Sequence, residues 1–255
     1  MHREVRNPVS ICMALFNGEK YVKEQIDSIL FQLNHEQDEL IIVDDFSKDN
    51  SVKIIESYNH QSIRLYKNNR NLGYIKTFES AIDKSKNDVI FLSDQDDIWI
   101  EGRLDNMYEK LNESNDMLLC SNFKSVNQQG KEVFRFKTRL QHNIPEKFNH
   151  NILGIFKGNI AYFGCAMAFK SEFKKYILPF PDYIDAHDLW LAMSANVNKR
   201  ILHLEDNTLL HRIHGNNTSF VKRKLHKKLY TRLLFLKTWI EAKKRKKENY
   251  INYIS

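Results

Sequence analysis

Apolar and polar positions switch between two periods along the first hundred residues. Val9–Leu15 is a continuous apolar run after Pro8, the pattern of a short buried strand. Val22, Ile26, Ile29, Leu30 and Leu33 then share one helical face. Leu40–Val43 is a second strand, closed by Asp44-Asp45. Ser47 and Asp49 are both placed to cap a helix carrying Val52 and Ile55. Ile63–Tyr66 predicts a third strand, Ile75–Ile82 a helix, and Val89–Leu92 a fourth strand that runs into Ser93-Asp94-Gln95-Asp96-Asp97. The order β-α-β-α-β-α-β points to a mostly parallel α/β sheet with helices on both faces.

The second half is more mixed. Leu104, Met107, Tyr108 and Leu111 suggest a helix, which the pattern starts near Ile98. Met117–Cys120 reads as a strand, and Val126–Gly130 as a hairpin turn. Ile160–Phe169 is expected to be one long strand. Ile184–Val197 is expected to be a helix, and Ile201–Leu204 a short strand before the polar run His211-Arg212-Ile213-His214-Gly215-Asn216-Asn217. Val221, Leu225, Leu229, Leu233, Leu236 and Ile240 make a helical stripe near the end of the chain.

Composition narrows the class. The 255 residues are 42% hydrophobic and 28% charged, ordinary globular usage, with 8 Gly and 4 Pro, so neither disorder nor a long linker is expected. The net charge of +7 is unevenly spread. Residues 221–255 hold 12 Lys/Arg and 2 Asp/Glu, whereas the rest holds 27 and 30. A slightly acidic body is a poor nucleic-acid surface, so attraction to anionic partners belongs to the tail. Cys12, Cys120 and Cys165 lie far apart with no CxxC pair, which fits a reducing compartment and gives no zinc framework. No signal-peptide pattern opens the chain. The most apolar stretch, Ile152–Phe169, contains Lys157 and Asn159 and is not a membrane span. A cytoplasmic location, peripheral to a membrane at most, is expected.

Ligands of such sheets bind at the carboxyl ends of the strands. The polar clusters there are 17–19, 44–45, 68–71 and 94–97, and none carries GxGxxG or a P-loop. Asp94, Asp96 and Asp97 repel one another unless a cation neutralises them. Hard oxygen ligands suit Mg²⁺ or Mn²⁺, which takes one or two carboxylates and completes its shell with substrate phosphates. A solvated turn with helix-capping carboxylates is the alternative reading.

Six segments carry a family resemblance. They are residues 9–21 (VSICMALFNGEKY), 42–47 (IVDDFS), 71–73 (NLG), 91–99 (FLSDQDDIW), 187–192 (HDLWLA) and 212–217 (RIHGNN). In this order, over about residues 8–220, the chain resembles the family 2 glycosyltransferases of the GT-A fold, and within them bacterial rhamnosyltransferase-like enzymes of cell-surface polysaccharide synthesis. The resemblance implies an inverting transfer from a nucleoside-diphosphate sugar to a glycan or lipid-linked acceptor. It implies that Phe16, Asn17, Glu19, Asp45, Gly73, Lys76, Ser93, Asp94 and Gln95 bind the nucleotide sugar, with Asp45 reading the base. Asp96 and His214 would hold Mg²⁺ or Mn²⁺. Asp188 would be the general base, with Gly164, Cys165, His187 and Trp190 on the acceptor side. Taken alone, Cys165 reads as a buried structural thiol, and Lys76 as a solvated charge or a phosphate partner. The chain departs from the usual pattern at Ala14-Leu15-Phe16, where relatives often carry Thr-Tyr, and at Phe46 and Leu189.

Other classes are weaker. A nucleotidyltransferase needs a glycine-rich phosphate loop, and Asn17-Gly18-Glu19-Lys20 is a poor substitute. A catalytically inactive sugar-nucleotide-binding scaffold, recruited to membrane by its basic tail, is the non-enzymatic alternative. The expected layout is a catalytic domain over 1–220, with a nucleotide-sugar half at about 8–100 and an acceptor half at about 101–220. A basic amphipathic helical tail over 221–255 follows. The stripe in that tail has three possible uses: packing on the domain, lying on an anionic bilayer through 221–247, or pairing with a second copy.

Overall fold

The computed structural model describes residues 6–134, 139–141, 147–215 and 225–254, with backbone alone for 225–229 and 252–254. Its strands are β1 (Val9–Leu15), β2 (Glu39–Asp44), β3 (Ile63–Lys67), β4 (Val89–Ser93), β5 (Ile98–Trp99), β6 (Leu118–Val126), β7 (Met167–Lys170) and β8 (Ile201–Arg212). The helices are α1 (Val22–Leu30), α2 (Ser51–Glu56), α3 (Tyr74–Lys84), α4 (Arg103–Glu113), α5 (Phe148–Lys157), α6 (Lys174–Ile177), α7 (His187–Asn198) and α8 (Leu225–Ile254). One sheet takes the order β3-β2-β1-β4-β7-β6-β8-β5. Strands β1 to β4 run parallel, β7 runs antiparallel between β4 and β6, and β8 is parallel to β6.

Both faces of the sheet are covered, which explains why the central strands are continuous apolar runs. Side chains still alternate. Ile11, Met13, Leu40, Ile42 and Phe91 pack with Ile26 of α1 and Leu104, Met107 and Leu111 of α4. Cys12, Ile41, Val43, Ile90 and Leu92 pack on the other face with Phe78 and Ile82 of α3 and Leu191 and Ala195 of α7. Register positions the site: Leu15 lies beside Asp44, and Met13 beside Ser93. The loops after β1, β2 and β4 therefore leave the sheet side by side.

Several expectations shift. The strand expected over 160–169 is confined to β7; a 3-10 turn at Gly164–Ala166 interrupts it and turns the Gly164 amide towards α7. Ile98-Trp99 pairs with β8 as β5, and α4 begins only after Gly102. The last strand runs on to Arg212, with irregular register where Glu205–Asn207 breaks the apolar alternation. Helix α5 lies in a stretch read only as too charged to cross a membrane. The turn at 127–130 is a hairpin, closed by a bridge between Val126 and Glu132. Neither cap candidate is the N-cap of α2, which is Asn50 without a side-chain cap bond; Asp49 just before it accepts the Ser51 amide at 3.0 Å.

Helix α8 packs on α5, α6 and α7. Its inner face is Thr231, Leu234, Phe235, Thr238 and Ala242, all buried. Thr238 returns its hydroxyl to the Phe235 carbonyl, so the polar side chain is satisfied inside its own helix. The aliphatic stripe picked from the sequence points the other way: Leu233, Leu236 and Ile240 are 61%, 43% and 54% exposed. The inner face mixes the bulky Leu234 and Phe235 with Thr231, Thr238 and Ala242, so the aliphatic stripe alone was a poor guide to it. Val221 lies outside the described residues, as do the side chains of Leu225 and Leu229. No helix among the described residues is long and apolar enough to cross a membrane.

Candidate active site

A cavity of about 840 Å³ opens at the carboxyl ends of β1, β2 and β4. Its walls include Phe16, Asn17, Asp45, Asn71, Gly73, Tyr74, Phe78, Asp94, Gln95, Asp96 and His214. The Gln95 amide clamps the β1 loop from two sides, accepting from the Phe16 amide at 2.8 Å and donating to the Phe16 carbonyl at 3.0 Å. Asn17 holds the neighbouring loop, accepting from the Lys48 amide at 2.8 Å, and sits at φ 48°. Asp45 accepts from the Leu72 and Gly73 amides at 2.7 and 2.8 Å and from the Asn68 side chain at 2.9 Å. It thereby fixes the turn in front of α3, where Gly73 has φ 84°, a conformation that costs glycine little.

The acidic cluster is the electrostatic centre. One carboxylate oxygen from each of Asp94, Asp96 and Asp97 lies within 4.8 Å of the others. The three have different fates. Asp97 is buried beneath the cavity, accepting from the Arg212 amide at 3.0 Å, with His211 Nδ1 at 2.9 Å. Burial is the largest influence and would raise it, but the His211 charge, the His211 hydrogen bond and the Arg212 amide together hold it below the usual carboxylate range. Burial alone would lower His211; Asp97 reverses this, and His211 is raised to about 9. Asp94 is pushed well above the ordinary range by burial, then by the charges of Asp97 and Asp96. Asp96 reaches His214, whose Nε2 lies 2.7 Å from Asp96 Oδ2. That imidazole stacks on Tyr21, with ring centroids 5.0 Å apart, and the Arg212 guanidinium also lies over Tyr21.

This donor set fits a hard divalent cation: carboxylate oxygens and one imidazole, with surplus negative charge that burdens Asp94. A second cluster, Asp97, Cys165 and His211, is a poor match. Burial and the nearby carboxylates push the Cys165 thiol up, so it stays protonated, and only a thiolate would be a ligand.

Asp188 is the second residue of α7, partly buried beside the cavity rather than in its lining. Burial raises it to about 6, although amides of Leu189, Gly164 and Asp188 itself donate to it. Its charge in turn raises Asp94, so the two carboxylates are electrostatic neighbours. The cavity residues Phe78 and Tyr74 both touch the ring of the adjacent His187, Phe78 stacking at 4.3 Å. His187 is buried and burial lowers it to about 3, so it is a neutral aromatic plate. A Cβ at Gly164 would come within 2.4 Å of His187 Nε2, so only glycine allows this packing.

Five residues expected at the site are turned elsewhere and do not line the cavity. Glu19 accepts from the Asn50 amide and side chain, both at 2.9 Å, bracing two loops. Lys76 pairs with Glu79 at 2.9 Å and Asp182 at 2.8 Å, because the loop that carries Asp182 comes up against α3. Ser93 is buried, holding Gln25 at 2.6 Å. Trp190 is buried in the core, donates its indole N–H to the Ile177 carbonyl at 3.1 Å and does not line the cavity. Cys165 is likewise core. Conversely, the sequence reading gave no role to Tyr74, nor to Tyr21, His211 and Arg212, although these three lie in segments it singled out. A longer last strand, read on to Arg212, would have brought His211 and Arg212 to the end of β8, where ligand-facing residues are looked for.

The fold is that of the GT-A glycosyltransferases. It superposes on residues 1–349 of TarS from S. aureus in complex with UDP-GlcNAc with a TM-score of 0.70, at 19% identity, over 89% of this chain and 66% of that one. The family model for glycosyl transferase family 2 matches residues 10–177, and the chain belongs to that family. Among its relatives, an uncharacterised glycosyltransferase of Methanocaldococcus jannaschii is 27% identical over 92% of this chain and 80% of its own length. The dTDP-rhamnosyl transferase RfbG of Shigella flexneri is 29% identical over 80% of this chain and 72% of its own. A further glycosyltransferase, from Rickettsia prowazekii, is 26% identical, and the chain spans 60% of its length.

Proposed function

We propose that the chain is an inverting, divalent-metal-dependent glycosyltransferase. It moves a sugar, rhamnose from thymidine diphosphate in the first instance, to a hydroxyl of a growing cell-surface glycan or lipid-linked saccharide. The observation that carries this is the Asp94–Asp96–His214 cluster in the cavity wall, with the raised carboxyl of Asp188 beside it as an electrostatic neighbour of Asp94. The rhamnosyl donor is supported by the relative of that name.

The nucleotide lies against Phe16, Asn17, Asp45 and Gly73, with its diphosphate towards Asp94 and Asp96. Asp188 accepts the proton of the acceptor hydroxyl as general base. The hydroxyl oxygen bonds to the anomeric carbon while the bond to the diphosphate oxygen breaks on the opposite face, its electron pair leaving with the nucleotide. Asp188 then releases its proton to solvent. Asp96 and His214, with Asp94 beside them, would hold Mg²⁺ or Mn²⁺, which would offset the charge of the leaving diphosphate.

The test couples nucleotide binding to turnover. Nucleoside diphosphates are screened by thermal shift with and without Mn²⁺, and acceptor-dependent nucleotide release is then measured. Asp96→Ala should abolish the metal-dependent shift. Asp188→Asn should keep the shift and lose about 10²-fold or more in release. Nucleotide binding with no release under any acceptor would leave a sugar-nucleotide-binding module. Full release by either variant would remove that residue from its role.

A further inference from the structure

Helix α8 presents two faces, and only one is used inside the molecule. Outward, Leu233, Lys237, Ile240, Lys244 and Lys247 recur at steps of four and three, one row along the helix, with Leu236 and Lys243 beside it. All seven are exposed. The inner basic residues are committed elsewhere: Arg245 to Glu241 and the Pro179 carbonyl, Lys246 to the Val197 carbonyl. The helix as a whole holds nine Lys/Arg against two Glu. Exposed leucine and isoleucine in a bed of lysine fit a surface that is apolar beneath and anionic on top.

Position adds to composition. The Tyr183 hydroxyl donates to the Lys237 carbonyl at 3.4 Å, and the Thr231 hydroxyl lies 3.5 Å from an Asp185 carboxylate oxygen. Asp185 in turn accepts from Tyr74, a cavity wall residue, at 2.7 Å through its carbonyl. The loop that leads into Asp188 is thus held between the cavity and α8. From this juxtaposition we propose that the outer face of α8 docks on an anionic lipid bilayer and brings the mouth beside Asp188 to the lipid surface. The lysines attract the headgroups, and Leu233, Leu236 and Ile240 enter the interface. A second copy of this chain is disfavoured as occupant, because its lysine rows would oppose like charge.

Vesicle co-sedimentation of the full chain tests this without any measure of activity. Phosphatidylcholine vesicles containing phosphatidylglycerol should bind at least about tenfold more protein than pure phosphatidylcholine, and the excess should fall with added salt. Leu233→Asp with Ile240→Asp should lose that binding with an unchanged unfolding midpoint, since both side chains are exposed. Lys237→Glu with Lys244→Glu and Lys247→Glu should do the same by charge. No preference for the anionic vesicles, or full binding by both variants, would overturn the proposal. So would a dimer in sedimentation velocity that the Leu233→Asp, Ile240→Asp variant dissolves while vesicle binding is absent.

Discussion

Asp188 shows how much one carboxyl depends on its surroundings. As a first-turn helix acid it would be favoured by the helix dipole and stay fully ionised in ordinary buffers. Burial overrides the dipole and three amide donors, and sets it near 6. A base must be deprotonated to act, so transfer should rise with pH through about 6 and level off above it. On the acid side it should drop about tenfold per pH unit. A profile of kcat/KM between pH 4.5 and 8, at saturating Mn²⁺, checks this; a flat profile would exclude Asp188 as the base. At this scale the sequence was legible where a polar residue ends an apolar run, as at Asp45 and Asp94 to Asp97. It was not legible where the deciding partner is distant. Nothing near Lys76 announces Asp182, and nothing near Trp190 announces that its ring turns to the core rather than to the cavity.

Among the elements, β8 was the one most underestimated, and it carries the base of the acidic cluster. Asp97 is the pin between the β4 loop and β8, through His211 and the Arg212 amide. Asp97→Asn should leave a buried imidazolium without its counter-charge, a loss of about 3–5 kcal/mol by analogy with broken buried pairs. The sign with pH follows from both partners. The raised His211 contributes fully below its unfolded value near 6.5, and that contribution fades as pH climbs to about 9. The lowered Asp97 contributes above its unfolded range near 3.8 and fades as pH falls through its depressed folded value. Urea unfolding of the two proteins should therefore differ most between about pH 4 and 6.5 and converge by about pH 9. Strand and helix order in the first hundred residues was readable because each segment has its own period. The 160–169 segment was not, because its apolar character serves first a turn and then a strand. In α8 the threonines and alanine of the true inner face were hidden behind larger aliphatic neighbours.

Over the whole molecule, a basic tail proves to be part of the packed body. Leu234, Phe235 and Ala242 close the core over α5, α6 and α7. Ending the chain before residue 225 should bare that apolar surface. The truncated protein should unfold at a markedly lower temperature and aggregate at concentrations where the full chain stays dispersed, which calorimetry and light scattering would show. The sheet has its own lesson. Strand β7 pairs with β4 on one side and β6 on the other, so the first hundred residues and the rest of the sheet share a single hydrogen-bonded ladder. On the proposed function, that shared ladder would set the gap between the Asp94–Asp96 cluster and Asp188 like a caliper locked at assembly, and a change of donor size would have to come from shaving or lengthening the loops at its jaws.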